Sequence, residues 1–282
     1  MGQVKALIGA SVLALLAGCA TPRESALPAG ARYVAMGSSF AAGAGIGPTK
    51  PGTPERCQRT AINYASLLAA RMELSLDDQT CGGATSAHIT GPWNELPPQA
   101  DALDPDTRLV TVTIGGNDIN YVGNLFAAGC DPATGMVIQG RKVPCFAMRP
   151  SGDDAYERLR TGLRAVAAEV RRRAPQATLV FVQYVTLVPD APCDSAKLSP
   201  ENAAVARTIG ERLAAVTAEV ARESGALVLP ADQLSRGHTT CDAVPWSIGL
   251  PTGYDGKGGA PWHPTAAGHA AIADALGALL KR

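Results

Sequence analysis

Val34-Ala35-Met36-Gly37-Ser38-Ser39-Phe40-Ala41-Ala42-Gly43 is the stretch from which the fold is read. An apolar run meets a glycine, then two serines, then small residues. The run is continuous rather than alternating, as in a strand covered on both faces. The small residues let a helix begin close to the strand end. That exposes Ser39 at the turn and aims backbone N–H groups at incoming negative charge. The segment is not a Gly-x-Ser-x-Gly elbow, because Ala41 replaces the second glycine. The next stretch, Gly43-Ala44-Gly45-Ile46-Gly47, lacks the ending of a phosphate loop and the spacing of a dinucleotide fingerprint, so it reads as a flexible loop.

Outward from Tyr33–Met36, three more apolar runs read as strands: Leu109–Ile114, Leu179–Val185 and Ala226–Leu229. A weaker fifth lies near Glu73–Leu76. Helical spacing links Leu159, Leu163, Val166 and Val170, and again Val205, Ile209, Leu213, Val216 and Val220. The second set follows Ser199 as N-cap and Pro200 at the first helical position. Ile272, Leu276 and Leu280 mark a last helix. Strands alternating with helices predict an α/β protein, a three-layer α/β/α sandwich around a central parallel sheet. Right-handed connections gather the loops after the strands on one edge. Two long stretches, Gly123–Asp154 and Ala231–Trp262, show no periodicity and read as functional loops.

That edge receives chemistry from four places. Ser39 follows the first strand. Cys81-Gly82-Gly83-Ala84-Thr85 follows the weak one, and a glycine there lets a backbone N–H approach a substrate oxygen. Thr113-Ile114-Gly115-Gly116-Asn117-Asp118 ends the third and presents a side-chain amide. Ala260-Pro261-Trp262-His263-Pro264-Thr265 precedes the last helix, and its two prolines hold His263 more rigidly than an ordinary loop would. His88, His238 and His269 lack such a setting. Taken one at a time, each segment has a plain reading as a cap, a turn or a solvated loop.

The chain has 282 residues, with 25 basic and 25 acidic side chains. The balance gives no electrostatic case for nucleic acid. The run Arg171-Arg172-Arg173 reads as a solvated helix end, where cations suit the helix dipole. Residues 1–18 read as a signal: Lys5, then the apolar stretch Ala6–Ala17, too short to span a bilayer. The stretch ends in Leu16-Ala17-Gly18-Cys19, which resembles the bacterial lipoprotein signal. That resemblance implies lipid modification of Cys19, a membrane anchor and an exported cell-envelope protein. Ala20 after the cysteine favours the outer membrane in a Gram-negative host. Residues 19–30 form the lipidated cysteine and a tether, and 31–282 one domain, taken as a monomer. Of seven cysteines, the six others are Cys57, Cys81, Cys130, Cys145, Cys193 and Cys241. An even set in an exported chain suggests disulfides. Nearest-neighbour pairing is the simplest of the 15 arrangements: 57–81, 130–145 and 193–241. No CxxC or HxxxH spacing supports a metal site.

Taken together, the four segments resemble the SGNH hydrolases, the GDSL-type esterases and lipases, whose blocks supply Ser, Gly, Asn and His in this order. The resemblance spans residues 32 to 280 and implies that family's flavodoxin-like fold. It implies Ser39 as nucleophile, His263 as general base, and an oxyanion hole of the Ser39 and Gly83 N–H groups and the Asn117 amide. No cofactor is needed. Two departures stand out. The first block usually reads Gly-Asp-Ser; here it reads Gly37-Ser38-Ser39, and Ser38 carries no charge. The triad acid normally lies three residues before the histidine, where this chain has Ala260. A secreted, three-disulfide subset uses a backbone carbonyl there, so the Ala260 carbonyl is the expected partner of the imidazole, with Asp255 as reserve acid. The reading is an envelope serine esterase or lipase acting on small-molecule or lipid esters. The alternatives are an O-acetyl esterase on polysaccharide and a catalytically silent binding lipoprotein.

Overall fold

The apolar runs become the inner strands of a five-stranded, all-parallel sheet. The computed structural model describes residues 2, 27–133, 135–138, 141–250, 254 and 259–281. The strands are β1 (Arg32–Gly37), β2 (Ser75–Asp78), β3 (Thr107–Thr113), β6 (Thr178–Val182) and β7 (Leu227–Leu229). A separate antiparallel hairpin supplies β4 (Met136–Ile138) and β5 (Arg141–Val143). The sheet order is β2-β1-β3-β6-β7, the flavodoxin-like order once the hairpin is set aside. Tyr33, Val34, Ala35 and Met36 are all fully buried, which is why β1 is apolar at consecutive positions.

The helices are α1 (Ser39–Ala42), α2 (Tyr64–Met72), α3 (Ala87–Thr90), α4 (Tyr121–Ala128), α5 (Asp153–Arg173), α6 (Pro200–Ser224), α7 (Ala231–Leu234) and α8 (Ala266–Leu280). The pair α2 and α8 packs together, as does the pair α5 and α6, and the sheet lies between these layers. Leu159, Leu163, Val166 and Val170 are the buried stripe of α5. Ser199 caps α6 by accepting the N–H of Asn202, Pro200 opens it, and Gly225 closes it with φ +70°. Thr265 caps α8 by accepting the N–H of Gly268. The arginine run that ends α5 is paired as well as solvated: Arg172 and Arg173 both meet Glu169, and Arg173 also meets Asp101.

Four differences from the sequence reading have local causes. The strand expected at 179–185 runs from Thr178 to Val182; beyond it Gln183 N–H still donates to the Leu229 carbonyl, and its side chain donates to the Ala214 carbonyl on α6. The weak strand lies at 75–78 rather than 73–76. Glu73, with φ +54°, closes α2 instead, and the buried Asp78 accepts from Asn63 and Thr80. The stretch 123–154 is not all loop, since it holds most of α4 and the hairpin. Within 231–262 the first turn folds as α7.

The three disulfides join Cys57 to Cys81, Cys130 to Cys145 and Cys193 to Cys241. The last ties the segment beyond β6 to the loop that leads to His263. Its sequence separation is 48 against 15 for Cys130–Cys145. In the chain-entropy description these closures contribute about 4 and about 3 kcal/mol. Chemical denaturation of the Cys193→Ala/Cys241→Ala and Cys130→Ala/Cys145→Ala variants should therefore rank the first as less stable. The reverse ranking would show that strain or local packing, rather than closure, sets their value.

Candidate active site

The edge at the C-terminal ends of β1, β2 and β3 is built on an approach that only glycine permits. Gly37 ends β1 with φ +145°, and a Cβ there would lie 2.4 Å from the Thr113 carbonyl oxygen at the end of β3. The peptide is then clamped. Gly37 N–H donates to Gln99 Oε1 at 2.7 Å, while its carbonyl accepts from Gln99 Nε2 and from Cys81 N–H, each at 3.0 Å. Ser38 N–H donates to Thr113 O. The strand ends of β1, β2 and β3 are thus fixed to one another directly where Ser39 begins α1.

The two adjacent serines point apart. Ser38 is buried, and its hydroxyl meets that of Tyr184 at 3.0 Å. Ser39 is partly exposed, and its Oγ lies 2.8 Å from His263 Nε2. The nucleophile candidate and the base candidate, 224 residues apart in the chain, are neighbours.

The carbonyl that faces His263 Nδ1 belongs to Pro261, at 2.8 Å, and not to Ala260. Chain reversal explains the shift. Trp262 takes φ +59°, so the backbone folds back and brings the Pro261 carbonyl against the ring two residues on. Ala260 is used elsewhere, its N–H donating to the Ala44 carbonyl. Asp255, the reserve acid, lies outside the described residues. A carbonyl only accepts, so Nδ1 carries the proton and Nε2 presents its lone pair to the Ser39 hydroxyl. Burial lowers the imidazole pKa to about 4, against the opposing hydrogen bond to Pro261.

Gly83 sits on the turn after β2 with φ +86°, and a Cβ there would lie 3.1 Å from the Trp93 ring. Asn117 donates one amide hydrogen to the Ala84 carbonyl at 2.8 Å, which aims the amide and leaves its second hydrogen for a ligand. Neither Ser39 N–H nor Gly83 N–H has an acceptor among the described residues. Asp118 joins the two turns, since its carboxylate accepts from Ser86 N–H and Ser86 Oγ. Ser39, Gly83, Asn117 and His263 therefore come to one edge, with the Ser39 and Gly83 N–H groups and one Asn117 amide hydrogen unpaired among the described residues.

Of the other histidines, His269 is buried, and its Nδ1 accepts the Tyr64 N–H at 3.1 Å. His88 stacks on Trp93 and His238 on Trp246. Gln99, Asp118 and Trp93 shape the edge and were not singled out from sequence. Asp118 had a signal, being next to Asn117 in the motif; Gln99 and Trp93 had none. A cavity of about 350 Å³ is lined by Tyr184 and Tyr121 among others, and neither Ser39 nor His263 lines it.

The chain matches the GDSL-like lipase/acylhydrolase family over residues 35–271. It is 33% identical over 249 residues to Lipase 2 of Streptomyces coelicolor, covering 86% of this chain and 83% of that protein. Among solved structures it resembles phospholipase A1 of Streptomyces albidoflavus NA297, with a TM-score of 0.69 at 25% identity, over 89% of this chain and 99% of the other. The extracellular lipase of Streptomyces rimosus has a similar fold, with a TM-score of 0.68 at 23% identity over 88% and 98% of the two chains.

Burial of His263 fixes a sign. Between pH 6.5 and about 4 the unfolded chain takes up a proton on this imidazole that the folded chain refuses. Stability with respect to this group is complete above pH 6.5 and falls as pH drops toward 4. His269, held to about 3 chiefly by burial, acts in the same direction. NMR titration should place the His263 midpoint well below 6.5. A midpoint at or above 6.5 would show that the ring is not desolvated.

Proposed function

The chain belongs to the GDSL-like lipase/acylhydrolase family and is a carboxylic-ester hydrolase, and we propose that it works through an acyl-enzyme on Ser39 with His263 as general base. The observation that carries this reading is the 2.8 Å contact between Ser39 Oγ and His263 Nε2. As Ser39 Oγ attacks the ester carbonyl, its proton passes to Nε2. The carbonyl oxygen becomes an oxyanion held by the N–H groups of Ser39 and Gly83 and the amide of Asn117. Collapse of the tetrahedral intermediate expels the alkoxide, which takes the proton from Nε2 and leaves as alcohol. Water then attacks the acyl-enzyme, giving its proton to Nε2. The second collapse frees the carboxylic acid and returns the proton to Ser39.

The low pKa keeps the imidazole neutral over a wide range, though it makes a weaker base than a free imidazole. A base charged at pH 6 could not accept a proton, whereas His263 is neutral there. The Pro261 carbonyl fixes the tautomer and opposes the burial that depresses the ring. Lipid and short-chain acyl esters are the favoured substrates, supported by the names of the relatives in Streptomyces.

Export is supported by three disulfides, which persist in oxidising compartments. The finer reading is a lipoprotein. Residues 1–18 are the signal, Cys19 carries lipid, and residues 19–30 tether the domain to the cell envelope.

Native protein should react with a fluorophosphonate probe, and Ser39→Ala should not. Labelling of folded Ser39→Ala would remove the nucleophile assignment. Asn117→Ala should lose roughly 10²- to 10³-fold in kcat. Rates on p-nitrophenyl esters of increasing chain length, beside acetylated xylan, should favour the former. For the anchor, labelled palmitate should be incorporated by cells expressing the wild type and not by those expressing Cys19→Ser; equal incorporation would place the lipid elsewhere or nowhere.

A further inference from the structure

One buried phenol takes no part in the proton transfers. Tyr184 lies in the segment leaving β6 and is 6% exposed. Its oxygen accepts the N–H of Gly116 at 3.0 Å and lies 3.0 Å from Ser38 Oγ. Gly116 immediately precedes Asn117, and Ser38 immediately precedes Ser39. A single oxygen atom therefore joins the turn that bears the oxyanion amide to the turn that bears the nucleophile.

The approach is close and depends on a missing side chain. A Cβ on Gly116 would fall 2.7 Å from the Tyr184 ring. The ring also has a second contact, its centroid 4.2 Å from that of Phe40, which in turn lies 4.8 Å from the His263 ring. Burial pushes the phenol pKa up, so the hydroxyl keeps its proton. With its lone pair given to Gly116 N–H, the O–H is free to donate to Ser38 Oγ. Gly116 N–H, the Tyr184 hydroxyl and Ser38 Oγ are then joined in one buried chain of hydrogen bonds, whose members constrain one another.

We infer that Tyr184 is a positioning residue for the ester hydrolysis proposed above: its hydroxyl sets the spacing between Ser39 and the Asn117 amide, and its ring backs Phe40, which packs tilted against the His263 ring. The inference rests on the acyl-enzyme reading. The hydroxyl and the ring act on different partners, so they separate experimentally. Loss of the hydroxyl loosens the oxyanion amide against the nucleophile and leaves the imidazole in its dry setting. A misplacement of about 1 Å in such a constellation costs on the order of 100-fold in rate.

The test is Tyr184→Phe, which keeps the ring. The kcat for a p-nitrophenyl ester should fall roughly 10- to 100-fold, with KM changed less than about twofold. The acid limb of the pH profile should not move, because His263 keeps its surroundings. The double variant Ser38→Ala/Tyr184→Phe should be no slower than Tyr184→Phe, since both changes break the same link. Unchanged kcat, a loss carried by KM, or losses that multiply in the double variant would each overturn the inference. If Tyr184→Phe does not fold, Ser38→Ala alone decides: a several-fold loss in kcat at constant KM supports the link, and an unchanged kcat overturns it. Wild-type protein that neither hydrolyses esters nor takes the fluorophosphonate refutes the acyl-enzyme reading instead. In that case hydrogen exchange reads the link without catalysis. Exchange of the Gly116 amide should speed up at least tenfold in Tyr184→Phe, and an unchanged rate overturns it.

Discussion

A peptide carbonyl holds the imidazole, and the form in which the ring faces Ser39 depends on that single bond. The Pro261 oxygen has no proton to give, so the tautomer of His263 is settled by one contact of 2.8 Å. A carboxylate in the same place would stabilise an imidazolium more strongly, but it would also have to be buried as a charge. The neutral acceptor avoids that cost and accepts a weaker pull on the proton. The pKa of about 4 is the result: desolvation outweighs the one hydrogen bond. The ring is kept dry by Phe40 on one side and by a loop whose Trp262 is fully buried.

This carbonyl is available because a tryptophan adopts a left-handed backbone angle, which is costly for a side chain of that kind. Its neighbours over-determine the turn. Trp262 N–H donates to Ile248 O, Ile248 N–H donates to His263 O, and Ser247 bridges Pro264. Burial of the indole carbons works against the strained angle, while the indole Nε1–H is buried with no partner among the described residues. The loop before the histidine is therefore stapled on its inner side by hydrogen bonds, while the Cys193–Cys241 disulfide holds the far end of the same segment.

What sequence could show here followed from locality. Ser39, Gly83 and Asn117 each stand just beyond a strand, and His263 just before a helix cap, so one rule about parallel connections places all four on one edge. The three disulfides match the nearest-neighbour pairing, the simplest of the 15 that the sequence left open. The Pro261 carbonyl was hidden because it depends on the sign of one φ angle at Trp262, and tryptophan gives no hint of that sign. Gln99 and Tyr184 were hidden for a different reason: their partners lie 62 and 146 residues away, in contacts that exist only after the layers have packed. The edge strand β2 was shifted by two residues because Asp77 and Asp78 mask its pattern. Asp78 is buried by partners, Asn63 and Thr80, rather than by apolar character.

The separation of 224 residues between serine and histidine reaches beyond geometry. A ribosome delivers the first long before the second, and α8, which follows the second, is the last of the described helices. A chain that stops short of residue 263 thus lacks the imidazole that faces Ser39, however well its N-terminal portion has condensed. The order of synthesis thus separates the hydroxyl from the imidazole in time as well as in sequence.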